Sequence, residues 1–231
     1  MAEIETLKKD LATASRIMYR EALVEGFGHI SARVPGTDTF LIPPRMSPAL
    51  VKPEDILTID LEGRKVAGDK LPNSETPLHT RVYRVRPDVN SVAHTHSPMV
   101  TTLGIAGQVV RPVHNGGTVF HAGVAFFRRP GLINTDELGD QMAACLGPLQ
   151  AVMLRGHGAT VVAPSLKQAV LWVLALEEGA RYQVWASAIG TPLFFDQADF
   201  EAAGTDVFSE AGGQTQMDRA WNYYVSRIEA F

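Results

Sequence analysis

The 231-residue sequence predicts an α/β fold: a single domain, 1–231, in which a mainly antiparallel sheet is covered by helices on both faces. Three observations lead there. Two pairs of short β-prone runs, 31–34 with 39–42 and 56–61 with 65–66, flank the turn dipeptides Pro35-Gly36 and Glu62-Gly63 and read as hairpins. Helical periodicity recurs between and after them. Clean strand–helix–strand units are few, which disfavours an all-parallel sheet.

Taken in order, Ile4, Leu7, Leu11, Ala14 and Met18 step by three and four residues, the apolar stripe of a helix that should end near Gly26. After the hairpins, Pro77 suits the first turn of a helix carrying Leu78, Val82 and Val85, and Pro87 stops it. A short strand, 91–96, follows, and Ser97-Pro98 opens another helix. The segment 106–130, rich in glycine and histidine, reads as loop with short strand pieces. Thr135 can cap a helix through Leu146 that Gly147 closes. The apolar runs 151–154 and 160–163 read as buried strands interrupted by Arg155-Gly156-His157-Gly158. Ser165 caps a long helix reaching about Ile189, whose stripe Leu171, Leu174 and Trp185 reads as core. A break at Gly212-Gly213 precedes a last helix, 217–228.

With 45% hydrophobic and 20% charged residues, the chain has the composition of a globular protein with a sizeable core. Twenty-one basic against 25 acidic residues give a formal charge of −4, and no Lys/Arg run is present. Neither nucleic acid nor an anionic membrane finds its electrostatic footprint here. The longest apolar run, 169–176, is far below the roughly 20 residues of a membrane span. The opening MAEIETLKKD lacks the apolar stretch of a signal peptide. The single cysteine, Cys145, cannot form an internal disulfide and reads as a small apolar helix residue. A cytoplasmic protein with small-molecule partners is expected.

The chemistry concentrates in the histidines. His94 and His96 stand two apart in Ala-His-Thr-His-Ser; on a strand, residues i and i+2 share a face, so both imidazoles could reach one metal ion. Two hydrogen-bonded surface histidines are the alternative. His157 follows a buried strand, and glycines on both sides let the backbone turn sharply and leave the ring unobstructed, although a structural turn has the same signature. Glu75 begins a helix, where the backbone dipole favours a carboxylate; alone it reads as a capping acid. His79, one turn further, orients Glu75 or packs. His114 and His121 are either structural or proton donors to a neighbouring subunit's site, and Arg155 either holds a second substrate carboxylate or pairs internally. There is no P-loop, dinucleotide glycine fingerprint or Gly-x-Ser-x-Gly elbow.

Together, Glu75, His94, His96 and His157 stand in contexts that resemble the class II aldolase/adducin family. The matching segments are Gly26-Phe-Gly-His-Ile-Ser-Ala-Arg33, Ile42-Pro-Pro-Arg-Met-Ser-Pro48, Asn73-Ser-Glu75, His94-Thr-His-Ser-Pro98 and Gly156-His-Gly158. The resemblance covers roughly residues 5–190. It implies a three-layer α/β/α domain, a divalent metal (zinc or manganese, with cobalt a third option) held by the three histidines, and a homotetramer with active sites between subunits. It also implies that Glu75 serves as a metal ligand, or as acid/base once substrate displaces it.

Departures from the family pattern bear on the substrate. Sugar-phosphate enzymes of the family grip phosphate with Gly-Asn-Ile-Ser, a Ser-Gly turn and a Ser-Ser pair before the glutamate. Here those places read Gly28-His29-Ile30-Ser31, Pro44-Arg45 and Asn73-Ser74. Small donors give way to bulk and charge, and the guanidinium fork of Arg45 suits a planar carboxylate, with His29 as a second donor. The ordinary readings are a surface ion-pair residue and a helix-end cap. This variant is similar to the branch that decarboxylates hydroxylated aromatic or heteroaromatic acids, such as dihydroxyphthalate and hydroxy-methylpyridine-dicarboxylate. The resemblance therefore implies a metal-dependent decarboxylase acting on a small carboxylate, with Glu75, His29 and Arg45 catalytic and His29, Ser31, Arg45, Asn73 and Ser74 binding substrate. The alternative is an aldolase or epimerase of a small sugar phosphate or hydroxy acid. A metal-free interaction module of the adducin kind is a third reading, against which stands the full set of ligands.

Overall fold

The computed structural model describes residues 2–203 and 214–229, and it is built around one mixed sheet of eight strands. In chain order the elements are α1 (Ala2–Arg20), β1 (His29–Arg33), β2 (Thr39–Ile42), β3 (Leu57–Asp60), β4 (Lys65–Ala67), α2 (Thr76–Val85), β5 (Ser91–Thr95) and α3 (Pro98–Ile105). They continue with β6 (Ala125–Phe127), α4 (Asp136–Leu146), β7 (Ala151–Leu154), β8 (Gly158–Ala163), α5 (Leu166–Ile189), α6 (Gln197–Ala203) and α7 (Gln214–Glu229). The strands lie in the order β4-β3-β2-β1-β5-β8-β7-β6. Every neighbouring pair is antiparallel except β6 with β7.

Strand alternation divides the core in two. Ile30, Ala32, Leu41, Ala93 and Val161 face one side, where they pack with Leu11 and Ile17 of α1, Val100 of α3 and Val170 of α5. Phe40, Ile42, Val92, Val152 and Val162 face the other, against Leu78 and Val82 of α2 and Met142 of α4. Helix, sheet and helix thus form the three layers that the sequence predicts. The helix starts follow from local chemistry: Thr135 Oγ1 accepts from the Leu138 amide and Ser165 Oγ from the Gln168 amide, caps that contribute about 1 kcal/mol each. No described helix is long and apolar enough to cross a membrane.

The segment 106–130 is loop with a 3₁₀ turn, Asn115–Phe120, and one short strand piece, the parallel edge strand β6, in line with the expectation. Other expectations are corrected. Helix α6 falls where the sequence suggested no element. Trp185, read as core, is 56% exposed, because α5 contributes no buried residue after Gln183. The Gly212-Gly213 break lies outside the described residues.

Candidate active site

The register of the central strands sets the site. His29 on β1 lies opposite His94 on β5, which lies opposite Thr160 on β8. With Ile30 and Ala93 turned to the α1/α5 side, His29, Ser31 and His94 face α2. Two glycines allow the close approach. Gly28 has φ +99°, and a Cβ there would lie 2.4 Å from Val24 Cγ1 and 3.2 Å from the His94 carbonyl oxygen. Gly158 has φ +107°, and a Cβ would fall 1.9 Å from the Thr95 carbonyl oxygen. Only glycine lets the 155–158 turn press against the end of β5, and that contact brings His157 beside His94 and His96.

The ligand atoms of His94, His96 and His157 all lie within 4.8 Å of one another. His94 Nε2 is 3.2 Å from His96 Nε2. Glu75 Oε2 faces His94 Nε2 at 3.6 Å, His157 Nε2 at 3.8 Å and His29 Nε2 at 3.9 Å. Glu75 Oε1 accepts a hydrogen bond from the Ile133 amide at 2.9 Å. Glu75 does stand at the N-cap of α2, yet its side chain caps nothing and turns to the histidines instead. His94 is fully buried, whereas His96 and His157 are half-buried, so the cluster opens towards solvent on their side.

The donor set suits a divalent cation. Burial, with the imidazoles of His29, His157 and His96 adding to it, pushes His94 well below the ordinary 6.5. Burial and then His157 take His96 to about 4. Both rings are therefore neutral near pH 7 and present lone pairs, which is the form that binds metal, with a carboxylate alongside. Nearby, Glu177 of α5 accepts from the Met99 and Val100 amides at 3.0–3.1 Å and so anchors the start of α3 just beyond His96. No local pattern singles out this acid, which sits inside an apolar helical run.

Other expected residues fall into two groups. Asn73 is half-buried and Ser74 exposed at the α2 entry, and the Arg45 amide donates to the Leu71 carbonyl at 2.9 Å, which seats the Arg45 turn beside that segment. The Arg45 residue itself is exposed. Ser31, expected against substrate, is corrected: it is completely buried, and its hydroxyl lies 2.7 Å from His79 Nδ1 and 2.8 Å from the Tyr83 hydroxyl. His79 meets His29 and Ser31 rather than orienting Glu75. Tyr83, one turn beyond His79 on α2, is a contact that no sequence pattern singled out. His114 pairs with Glu178 at 3.3 Å, and His121 Nδ1 lies 3.2 Å from the Thr118 carbonyl, so within the chain both are engaged away from the cluster. Arg155 is exposed at the rim of the His157 turn, its amide donating to the Phe127 carbonyl.

The buried histidines make stability pH-dependent. Burial lowers His79 from 6.5 to about 3, with His94 adding to the shift. Between those values the unfolded chain binds a proton that the native one refuses, so stability is complete above 6.5 and falls as pH drops towards 3. The slope is about 1.4 kcal/mol per pH unit for each such ring. Thermal unfolding in EDTA should show Tm falling steadily from pH 7 to pH 5; a flat Tm over that range would contradict the assignment of neutral buried rings.

An α/β/α fold thus gathers three imidazoles and a carboxylate at one strand end. Residues 9–184 match the profile of the Class II Aldolase and Adducin N-terminal domain, and the chain belongs to that family. It is 34% identical over 241 aligned residues to the 3,4-dihydroxyphthalate decarboxylase of Rhodococcus jostii, covering 97% of each chain. It is 31% identical to the enzyme of the same name from Arthrobacter keyseri, over 96% of this chain and 94% of that one. In structure it resembles L-fuculose 1-phosphate aldolase from Glaciozyma antarctica with a TM-score of 0.85 at 24% identity, covering 99% of this chain and 90% of the other. The protein is an enzyme of the lyase type.

Proposed function

We propose that the protein is a metal-dependent decarboxylase of a hydroxylated aromatic or heteroaromatic carboxylic acid. The observation that carries this is a fourth imidazole beside the cluster: His29 Nε2 faces the same Glu75 oxygen as His94 and His157 do. Two relatives named as dihydroxyphthalate decarboxylases that align over nearly the whole chain support it. A zinc, manganese or cobalt ion held by His94, His96 and His157 would supply a Lewis acid for the negative charge that develops as carbon dioxide leaves. His29 and Arg45 would bind and orient anionic substrate oxygens, with Asn73 and Ser74 at the entry. The ring carbon–carboxylate bond breaks, its electron pair stays on the ring carbon, and Glu75, having taken the proton of the substrate's ortho hydroxyl, would deliver it to that carbon. We infer one domain over 1–231 working as a cytoplasmic homotetramer, with no nucleic-acid or membrane partner.

The test is carbon dioxide release from a panel of ortho-hydroxy aromatic carboxylates with added divalent metals, beside inhibition by phosphoglycolate. Release from at least one acid is the expected result. Tight phosphoglycolate binding with no release from any acid would favour the aldolase reading, which the fuculose-phosphate aldolase likeness keeps in view. Arg45→Lys keeps the charge but loses the planar fork. It should lower kcat/KM by roughly 10- to 150-fold, equivalent to about 1.5–3 kcal/mol for a charged hydrogen bond. A variant within two-fold of the parent would remove Arg45 from the substrate contacts.

A further inference from the structure

One of the three converging imidazoles stands on a short link between elements. Strand β5 ends at Thr95, which pairs with Ala159 of β8, and α3 begins at Pro98, so His96 and Ser97 belong to neither. The His94 ring is fully buried, whereas His96 is half-buried. Packing fixes His94, but the place of His96 depends on how the backbone is held on either side of it. On one side the strand ladder holds it, together with the His96 amide, which donates to the Leu23 carbonyl at 3.0 Å. On the other, the hold is the carboxylate of Glu177 from the middle of α5. We propose that Glu177 is a positioning residue for the metal site: by clamping the first turn of α3 it sets the place of His96, and its loss weakens metal binding without dismantling the fold. The inference rests on the reading of His94, His96 and His157 as the metal ligands.

The donors at the start of α3 show what Glu177 does. Pro98 has no N–H, and the Thr101 amide donates to the Ser97 carbonyl at 2.9 Å, so Met99 and Val100 carry the first-turn donors that still need a partner. Glu177 serves both: Oε2 accepts from the Met99 amide at 3.0 Å and from the Val100 amide at 3.1 Å, and Oε1 lies 3.1 Å from the same Met99 amide. A local cap is at hand and is not used. Ser97 occupies the N-cap position, yet its hydroxyl donates to Thr95 Oγ1 at 3.0 Å and caps nothing.

A serine cap would tie the helix start only to its own chain neighbours. A carboxylate from α5 ties it to the long helix that packs on β5 and β8, and so to the strands that carry His94 and lead into the His157 turn. The arrangement has a cost. Glu177 is 3% exposed; burial pushes its carboxyl up, and the two amides and Arg181, whose guanidinium stands 3.8 Å away, pull it back. Capping alone does not call for a buried acid here, since Ser97 could supply it. A fixed placement of the 96–100 segment against the sheet does.

Zinc dissociation constants of the substrate-free protein, measured by competition with a chromophoric chelator, read the effect. Glu177→Leu keeps the volume and removes both acceptors, and should weaken zinc binding about 10- to 100-fold, the range for groups that orient metal ligands. Glu177→Gln keeps an acceptor at the Oε2 position for both amides and should cost only a few-fold. Because the effect runs through His96, Glu177→Leu should add less than about two-fold in a His96→Ala background. Parent affinity in Glu177→Leu, or the same loss in the His96→Ala background as in the parent, would reduce Glu177 to a fold-stabilising acid and overturn the proposal. A Glu177→Gln loss equal to that of Glu177→Leu would make charge the cause instead of placement, and would also overturn it. Should Glu177→Leu fail to fold, Glu177→Asp withdraws the carboxylate by one methylene and takes its place, with a several-fold loss expected in the parent and none beyond His96→Ala. A parent that binds no zinc overturns the metal reading and this inference together, whereas a parent that binds zinc as tightly as Glu177→Leu does overturns this inference alone.

Discussion

Alanine at His94, His96 or His157 is expected to strip the protein of its divalent metal and of its turnover. Three imidazoles whose ligand atoms lie within 4.8 Å of one another would form the donor set. If a nanomolar site near 12 kcal/mol is shared about equally among three ligands, losing one costs about 4 kcal/mol, or roughly 10³-fold in affinity. His96→Ala is the cleanest variant, since that ring is half-buried and its loss leaves little cavity. His94→Ala empties a fully buried position, and part of its effect will be on stability. His29→Asn is the control, because His29 stands outside the three converging imidazoles; it should retain metal while losing substrate affinity. The measurement is metal content after dialysis, with activity on the same samples. Full occupancy in any two of the three alanine variants would sink the assignment.

The pair His94 and His96 was legible because strand geometry has a fixed period of two, which holds even though β5 ends at Thr95 and His96 lies one residue beyond. The His157 turn was legible from its glycines, although only the structure shows the reason: a Cβ on Gly158 would collide with the backbone of β5. Local rules failed where the partner is distant in sequence. Glu75 reads as a cap from its position before α2, but the Ile133 amide, 58 residues away, and the strand histidines draw it elsewhere. His79 was placed on the right helix face but with the wrong partner, because the register of β1 under α2 decides that it meets His29 and Ser31. Trp185 fits the helical stripe of α5, and periodicity cannot tell where the covering layers stop.

Glu75→Gln is expected to keep the fold and most of the metal while lowering turnover about 10²- to 10⁴-fold, the range for a general acid–base group. The substitution is nearly isosteric, so packing at this 6% exposed position is preserved. The amide has only one acceptor oxygen, and the Ile133 N–H at 2.9 Å claims it. The NH₂ group must then occupy the place of Oε2, where His94 Nε2, His157 Nε2 and His29 Nε2 lie at 3.6, 3.8 and 3.9 Å. An amide there carries no proton that it can give up and recover at neutral pH. Glu75→Asp retains the acid but withdraws it by one methylene, so it should fall between the parent and Glu75→Gln. Metal content, Tm and kcat measured together separate the outcomes. Loss of metal in Glu75→Gln equal to that in His96→Ala would make the carboxylate a ligand first. A kcat within a few-fold of the parent, with metal retained, would move proton transfer to another group, and His114 or His121 from an adjacent subunit would be the next to test.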